Sequence, residues 1–163
     1  MLIVLVLSCA GACSSQKAWV VREDGVGPVK IGMSLPELNK VLHENFSVPE
    51  DKEEKGCFYV EPVKHHEFAF MILDSHLARI DVSTPGVFTS KGAQVGDTEA
   101  QVLKLYSDRI KVEPHHYTAP QGHYLTAQSS SGDYGIRFET ENGKIEMFYA
   151  GRVSAIHFVE GCQ

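Results

Sequence analysis

Two short stretches of similar sequence decide how this chain is organised. Residues 31–38 read IGMSLPEL, and residues 95–102 read VGDTEAQV. Each copy begins with an aliphatic residue and a glycine, followed by a hydroxyl residue, Ser34 or Thr98, three positions before Glu or Gln. This spacing predicts capping boxes, in which the two side chains satisfy free backbone amides at the start of a helix. A helix of about ten residues is therefore expected after each copy.

Strands with alternating apolar residues are predicted to follow each helix. Asn142-Gly143 is a hairpin signal, because both residues readily take the positive φ of a tight turn. The predicted strands are 58–63, 68–73 and 77–83 in the first half and 123–128, 134–140, 144–150 and 155–160 in the second. The sequence thus predicts an α+β fold of two tandem helix-plus-antiparallel-strand units, with Pro85-Gly86 as the seam.

The paired motifs of residues 31–38 and 95–102 resemble the tandem repeats of β-lactamase-inhibitor-protein-like domains. Small outer-membrane lipoproteins of the SmpA/OmlA type share this repeat. The resemblance implies a first repeat unit at residues 25–85 and a second at residues 86–163. It also implies protein binding as the activity, either inhibition of a secreted hydrolase or support of an envelope assembly machine. It transfers no specific binding residue, because the loops match no motif of the family.

The N-terminus predicts export. Residues 1–7 are wholly apolar and a run of small residues follows, which is typical of a secretory signal, although the basic n-region of such signals is missing because no charge precedes Lys17. The run resembles a bacterial lipobox, so residues 1–12 are predicted to be a signal peptide and Cys13 to be lipidated. Lipidation at Cys9 and plain cleavage remain alternatives. Residues 13–24 would form a lipid-anchored tether and a first strand. The mature protein would then lie on the periplasmic face of the outer membrane. Alternatively, it would be soluble in the periplasm or secreted.

Two cysteines remain once the signal is set aside. An even pair in an oxidising compartment predicts a disulfide between Cys57 and Cys162. A catalytic or metal-binding Cys57 is the competing interpretation. No CxxC motif or nearby cysteine–histidine spacing supports it.

Composition narrows the class of partner. The chain has 163 residues, 43% of them hydrophobic, and a net charge of −6 with histidine neutral. These values are typical of a globular domain and argue against nucleic acid, whose binders usually present a concentrated basic surface. A negative protein favours a partner with a basic surface, such as a lysozyme-like cell-wall hydrolase, by steering encounters.

Histidine supports an alternative function. The eight histidines include the neighbouring pairs His65-His66 and His115-His116, each before a predicted strand. Imidazole is a common zinc and copper ligand, so a periplasmic histidine-rich metal-binding protein is the second hypothesis. Neighbours on a strand point to opposite faces, however, and no HxH or HExxH motif occurs. We therefore predict no specific metal site and no cofactor.

Aromatic residues suggest where a protein partner would bind. Two short helices are too few to cover every strand, so one broad sheet face is expected to remain open. An aromatic face fringed with charge would form a docking surface. Residues 131–134 also contain the Ser-Gly-x-Tyr pattern that looks like the short motif of periplasmic lysozyme inhibitors, although a plain hairpin turn is the favoured interpretation. The predicted partner-binding residues are Tyr117, Tyr124, Asp133, Tyr134 and Tyr149.

Motifs for catalysis are lacking in the sequence. There is no G-x-S-x-G elbow, no P-loop and no dinucleotide fingerprint. The sequence therefore predicts a non-catalytic cell-envelope lipoprotein that binds a protein partner, with no catalytic residues.

Overall fold

A computed structural model describes residues 19–53, 55–107 and 109–162. The predicted signal peptide and Cys13 lie outside the described residues. Within these ranges the chain forms ten strands and three helices. Their bounds are β1 Val21–Arg22, β2 Gly25–Val26, β3 Val29–Lys30, α1 Leu35–Leu42, β4 Cys57–Val60, β5 Ala69–Leu73, β6 His76–Val82, α2 Glu99–Leu105, β7 Ile110–Pro114, β8 His123–Gln128, β9 Tyr134–Glu141, β10 Lys144–Arg152 and α3 Val153–Ile156.

Both predicted capping boxes are present. In α1 the backbone amide of Ser34 donates to the Glu37 carboxylate over 2.8 Å. In α2 the Thr98 amide donates to the Gln101 side chain over 2.8 Å, and the Gln101 amide returns a bond to the Thr98 hydroxyl. The helices have eight and seven residues and are shorter than expected. No helix in the described ranges is long and apolar enough to cross a bilayer.

The main architectural element is a seven-stranded antiparallel sheet in the order β4-β5-β6-β10-β9-β8-β7. Strands β1, β2 and β3 form a second, three-stranded sheet. Alternate residues of the large sheet point to one side, where they form the main core with α1, α2 and the small sheet. Phe70, Ile80, Phe138 and Phe148 are fully buried there.

The two sequence repeats occupy equivalent places. The amide of Gly32 bonds to the carbonyl of Leu77 over 2.8 Å, and the amide of Gly96 bonds to the carbonyl of Ile145 over 2.9 Å. Each motif therefore pairs with the strand that follows a tight turn, β6 or β10. Because β6 pairs with β10, the large sheet continues across the Pro85-Gly86 seam.

The α+β prediction is wrong. The structure is mostly β, with only 13% helix, and is closer to an all-β fold than to two helix-plus-strand units. The physical reason is that strands carry most of the core. The chain adds an edge strand, β7, and three two-residue strands, β1 to β3, that lack an alternating pattern long enough to predict.

The predicted strand at residues 155–160 is also wrong. Residues 153–156 form the short helix α3, and the chain then continues as the C-terminal segment, residues 157–162. Helix α3 packs on β10, β9 and β6, and the Arg79 guanidinium bonds to the carbonyls of Ala155 and Phe158. The expected open sheet face is therefore partly covered by α3 and the C-terminal segment.

The predicted disulfide is confirmed. Cys57 and Cys162 are bonded, with their Cα atoms 5.2 Å apart and 105 positions apart in sequence. The bond joins the C-terminal segment to β4, the edge strand at one side of the large sheet. It closes the chain into a loop that spans most of the described residues.

Removing this disulfide is expected to lower the free energy of unfolding by about 4 to 5 kcal/mol, because a loop of this length restricts the unfolded chain strongly. The change is Cys57→Ser with Cys162→Ser, measured by urea denaturation against the oxidised chain. Alkylation under non-reducing denaturing conditions should find no free thiol from either residue. Two alkylated thiols, or an unchanged unfolding free energy, would contradict the prediction.

Candidate functional site on the polar face of the sheet

The side of the large sheet away from α1 and α2 carries buried charged and polar side chains beside a small apolar cluster of Met71, Ala78 and Ala155. We call this side the polar face. It carries Arg79 and Asp81 from β6, Arg137 and Glu139 from β9, and Tyr149 from β10, and the residues between them point into the main core. Both arginines are buried, 3% and 6% exposed. Buried guanidinium groups must be paired to be tolerated, so their partners define the site.

Arg79 is the centre of one cluster. Its Nε and Nη2 atoms donate to the two Asp81 carboxylate oxygens, each over 2.7 Å. Nη2 also donates to the Tyr59 hydroxyl over 2.6 Å, and Nη1 donates to the Ala155 and Phe158 carbonyls over 3.2 and 3.0 Å. All five guanidinium hydrogens are thus used. Arg79 joins β4, β6, α3 and the C-terminal segment.

Two tyrosines act as neutral partners in this cluster. The Tyr149 hydroxyl donates to Glu139 over 2.8 Å, and the Arg79 guanidinium lies 4.3 Å above the Tyr149 ring. Burial raises the pKa of Tyr149 and Tyr59, and the neighbouring carboxylates raise it further. Burial also raises the pKa of Asp81, while the hydrogen bonds from Arg79 and Tyr59 oppose that rise. The phenols therefore stay protonated and donate to the acids.

A second cluster surrounds Tyr124. The Arg137 guanidinium lies 3.9 Å above its ring, and the His115 ring stacks on it at 4.4 Å. His115 Nε2 lies 3.3 Å from the Glu139 carboxylate, which also accepts from Tyr149. Glu139 therefore connects the two clusters across β9. Cation–π stacking and charge pairing hold these side chains against one another and away from solvent.

The segment that follows β7 folds against the same face. The backbone amides of Tyr117 and Thr118 both donate to His115 Nδ1, over 3.2 and 3.3 Å. Tyr117 then reaches the C-terminal segment, where its hydroxyl donates to the Glu160 carboxylate. Residues 115–122 and the C-terminal segment thus meet over the polar face.

A cavity of about 480 Å³ opens where these two segments meet. Its walls include the disulfide, residues 158–161, and the side chains of His116 and Tyr117. Three large apolar side chains at its rim are exposed: Tyr117 at 59%, Phe158 at 38% and Val159 at 39%. We call these three side chains the apolar patch.

The five predicted partner-binding residues do not share one surface. Tyr124 and Tyr149 are buried, at 3% and 1% exposure, under their arginine partners, and so offer no contact area in this structure. Tyr134 is half-buried against the main core, and Asp133 lies in the exposed turn before β9. Only Tyr117 belongs to the apolar patch. Its companions Phe158 and Val159 were missed because the sequence predicts a strand there.

One signal in the sequence could have located the polar face. Arg79-Ile80-Asp81 and Arg137-Phe138-Glu139 each place an arginine and an acid two positions apart around an apolar residue. On a strand this spacing puts both charges on one side and the apolar residue on the other. Two such strands in one sheet predict paired charges opposite the core.

The histidine pairs lie toward opposite edges of the large sheet. His65 and His66 lie between β4 and β5, where the His65 ring packs against Trp19 at a tilt of 31°, with the ring centroids 3.5 Å apart. His115 and His116 lie between β7 and β8. Among the described residues, no three His, Cys, Asp or Glu side chains are placed to hold one metal ion.

Comparison with family models, with curated proteins and with solved structures finds no match for this chain. The resemblance of residues 31–38 and 95–102 to β-lactamase-inhibitor-protein-like repeats therefore stays a prediction.

Replacing Arg79 is expected to destabilise the protein strongly. Arg79→Met leaves Asp81 buried without its cation, which should cost about 3 to 5 kcal/mol of unfolding free energy. The double variant Arg79→Met with Asp81→Leu should recover much of that loss, because both members of this buried charge pair are then removed. Urea denaturation measures both.

A matched control is Arg152→Met, since Arg152 is half-buried at the end of β10. Its expected change is below about 1 kcal/mol. Equal effects of Arg79→Met and Arg152→Met would show that the Arg79 cluster does not stabilise the fold.

Proposed function

We propose that this chain is a non-catalytic bacterial cell-envelope lipoprotein that works by binding another protein, as a hydrolase inhibitor or an envelope assembly factor. The observation that carries the proposal is the apolar patch. Of the seven large apolar side chains that are exposed among the described residues, three line this one cavity. Contiguous exposed apolar surface of this kind typically marks a protein interface.

The patch has the chemistry of an interface centre. Aromatic anchors with polar neighbours supply most of the energy in protein complexes. Tyr117 and Phe158 are the anchors here, and His116 and Glu160 provide polar groups beside them. The His116 ring meets Tyr117 edge-on at 4.6 Å.

The patch is also held in place before any partner arrives. The disulfide holds the C-terminal segment at Cys162, and Arg79 holds the carbonyl of Phe158. Tyr117 is held by its own amide bond to His115 and by its hydroxyl bond to Glu160. A preorganised surface loses less entropy on binding, so a small patch can supply useful affinity.

Charge supports a basic partner. The net charge of −6 steers positively charged proteins toward the chain, and a lysozyme-like cell-wall hydrolase has this character. The absence of catalytic motifs from the sequence supports a binding role over a catalytic one.

Truncating the apolar patch is expected to weaken partner binding without unfolding the protein. Tyr117→Ala and Phe158→Ala should each raise the dissociation constant for a basic lysozyme-type hydrolase roughly tenfold or more, as expected for aromatic anchors. Isothermal titration calorimetry with the purified full chain measures this. Scanning calorimetry should find melting temperatures within a few degrees of the parent, because both side chains are exposed.

Phe88→Ala is the matched control, since Phe88 is 45% exposed but lies away from the cavity walls. It should leave the dissociation constant unchanged. If the hydrolase does not bind, or binds all three variants as the parent does, this patch is not its docking surface. Turnover of an envelope substrate by the purified chain would overturn the non-catalytic role.

We propose further that Cys13 carries the lipid that tethers the mature protein to the periplasmic face of the outer membrane. Intact-mass spectrometry of the native protein should find an N-terminal Cys13 with a lipid adduct. Cys13→Ser should abolish the adduct, while Cys9→Ser, inside the removed signal, should leave it. An unmodified N-terminus, retention of residues 1–12, or the reverse response of the two variants would contradict the proposal.

A further inference from the structure

We infer that β7 pairs antiparallel with β7 of a second copy of this chain, so that the large sheets of two copies become continuous. Among the described residues, strand β7 is the last strand of the large sheet and pairs on one side only, with β8. A strand with one free side presents backbone groups that can bond another strand.

The direction of the β7 backbone groups follows from the β8 pairing. The His115 amide donates to the Gly122 carbonyl over 3.0 Å, continuing the register in which Pro114 lies opposite His123. In an antiparallel pair, residues that bond the neighbour alternate with residues that do not. Lys111 and Glu113 therefore turn their backbone groups to β8.

Ile110, Val112 and Pro114 consequently turn their backbone groups to the free side. Proline has no amide hydrogen, so its place at an outward position costs the sheet no bond. Among the described residues, no backbone hydrogen bond to the Val112 amide from outside the β7–β8 pair is found. The Val112 side chain is 47% exposed.

Charge selects one pairing among those the backbone permits. Lys111 and Glu113 share the polar face, with side chains 74% and 33% exposed and 2.9 Å between Nζ and Oε1. A two-fold pairing centred on Val112 places Lys111 of each copy opposite Glu113 of the other. Centring on Lys111 would place lysine opposite lysine, and centring on Glu113 would place glutamate opposite glutamate. Only the first arrangement pairs opposite charges.

The selected arrangement also satisfies the backbone. Val112 of each copy exchanges two hydrogen bonds with Val112 of the other, and each Ile110 amide donates to a Pro114 carbonyl. Edge lysines and prolines usually prevent strand pairing. Here none of the four bonds needs an amide hydrogen from Pro114, so the proline does not prevent them. The negative charge of Glu113 in the second copy lies opposite the positive charge of Lys111. The strand is therefore complementary to itself, which is what a two-fold interface requires.

Sedimentation equilibrium of the purified full chain, in a mild detergent and over a range of protein concentrations, tests the inference. The expected result is a monomer–dimer equilibrium. Val112→Pro removes the central amide from the free side and should leave only monomer at every concentration. Val112→Ala keeps that amide and should retain the dimer.

Charge exchange provides a test that does not depend on proline. Lys111→Glu should weaken the dimer roughly tenfold or more, because two attractive pairs become repulsive. Adding Glu113→Lys restores opposite charges and should restore the dimer. Lys64→Glu, at an exposed lysine between β4 and β5, is the matched control and should not weaken it. Glu113 also lies 3.8 Å from Arg137, so a change at Glu113 alters a second charge pair. Circular dichroism is therefore used to check that each variant is folded.

A chain that is monomeric at all concentrations overturns the inference. So does a dimer that persists in Val112→Pro and Lys111→Glu, or a charge exchange that fails to restore it in a folded variant. Loss with Val112→Pro together with recovery on charge exchange supports the inference.

Discussion

The pairing of β6 with β10 is the interaction on which the rest of the structure depends, because it joins the two halves of the chain into one sheet. Its register sets Ile80 opposite Ala150 and Arg79 opposite Gly151. A side chain at Gly151 would collide with the backbone of β6, since its Cβ would lie 2.8 Å from the Arg79 Cα atom and closer still to the Ala78 carbonyl oxygen. The absent side chain therefore permits the close approach of the two strands.

This register also positions the polar face. With Gly151 opposite it, Arg79 extends over the Tyr149 ring and reaches Asp81, Tyr59 and the turn after α3. A shift of one residue would turn Arg79 into the main core. The disulfide then joins the end of the segment that Arg79 holds to β4. The C-terminal segment is thus held over the sheet by three linked features. The strand register places Arg79, Arg79 bonds the segment, and the disulfide fixes its end to β4.

The parts of the fold that depend on local chemistry could be predicted from the sequence. The capping boxes at Ser34 and Thr98 and the turn at Asn142-Gly143 are determined by a few neighbouring residues, and the structure has all three. The disulfide was predicted from the oxidising compartment and from the even number of cysteines that remain outside the signal peptide. Strand β7 was missed because its residues alternate weakly, with Val112 exposed and Pro114 at its end.

The environment of each tyrosine could not be predicted in this way. Tyr117 and Tyr124 lie in similar polar sequence, yet one is exposed and the other is stacked between Arg137 and His115. Arg137 comes from the neighbouring strand β9, and His115 comes from the segment after β7. The burial of Tyr124 therefore depends on the register between β8 and β9 and on the way the chain reverses after β7. The strand predicted at residues 155–160 failed for a similar reason, because distant Arg79 bonds the carbonyls that a strand would present to a neighbour.

The two edges of the large sheet end differently, and the proposed surfaces use different groups. At the β4 edge, the disulfide holds the C-terminal segment, whose Phe158 and Val159 meet Tyr117 from the segment after β7. At the β7 edge, charged residues alternate with outward backbone groups, and Val112 is exposed. An apolar patch can accept a partner of a different shape, whereas a strand edge requires another extended strand. The backbone bonds of a pairing through β7 would use none of the three side chains of the apolar patch, and the pair would present two such patches in one assembly, which raises the avidity for a partner with repeated binding sites.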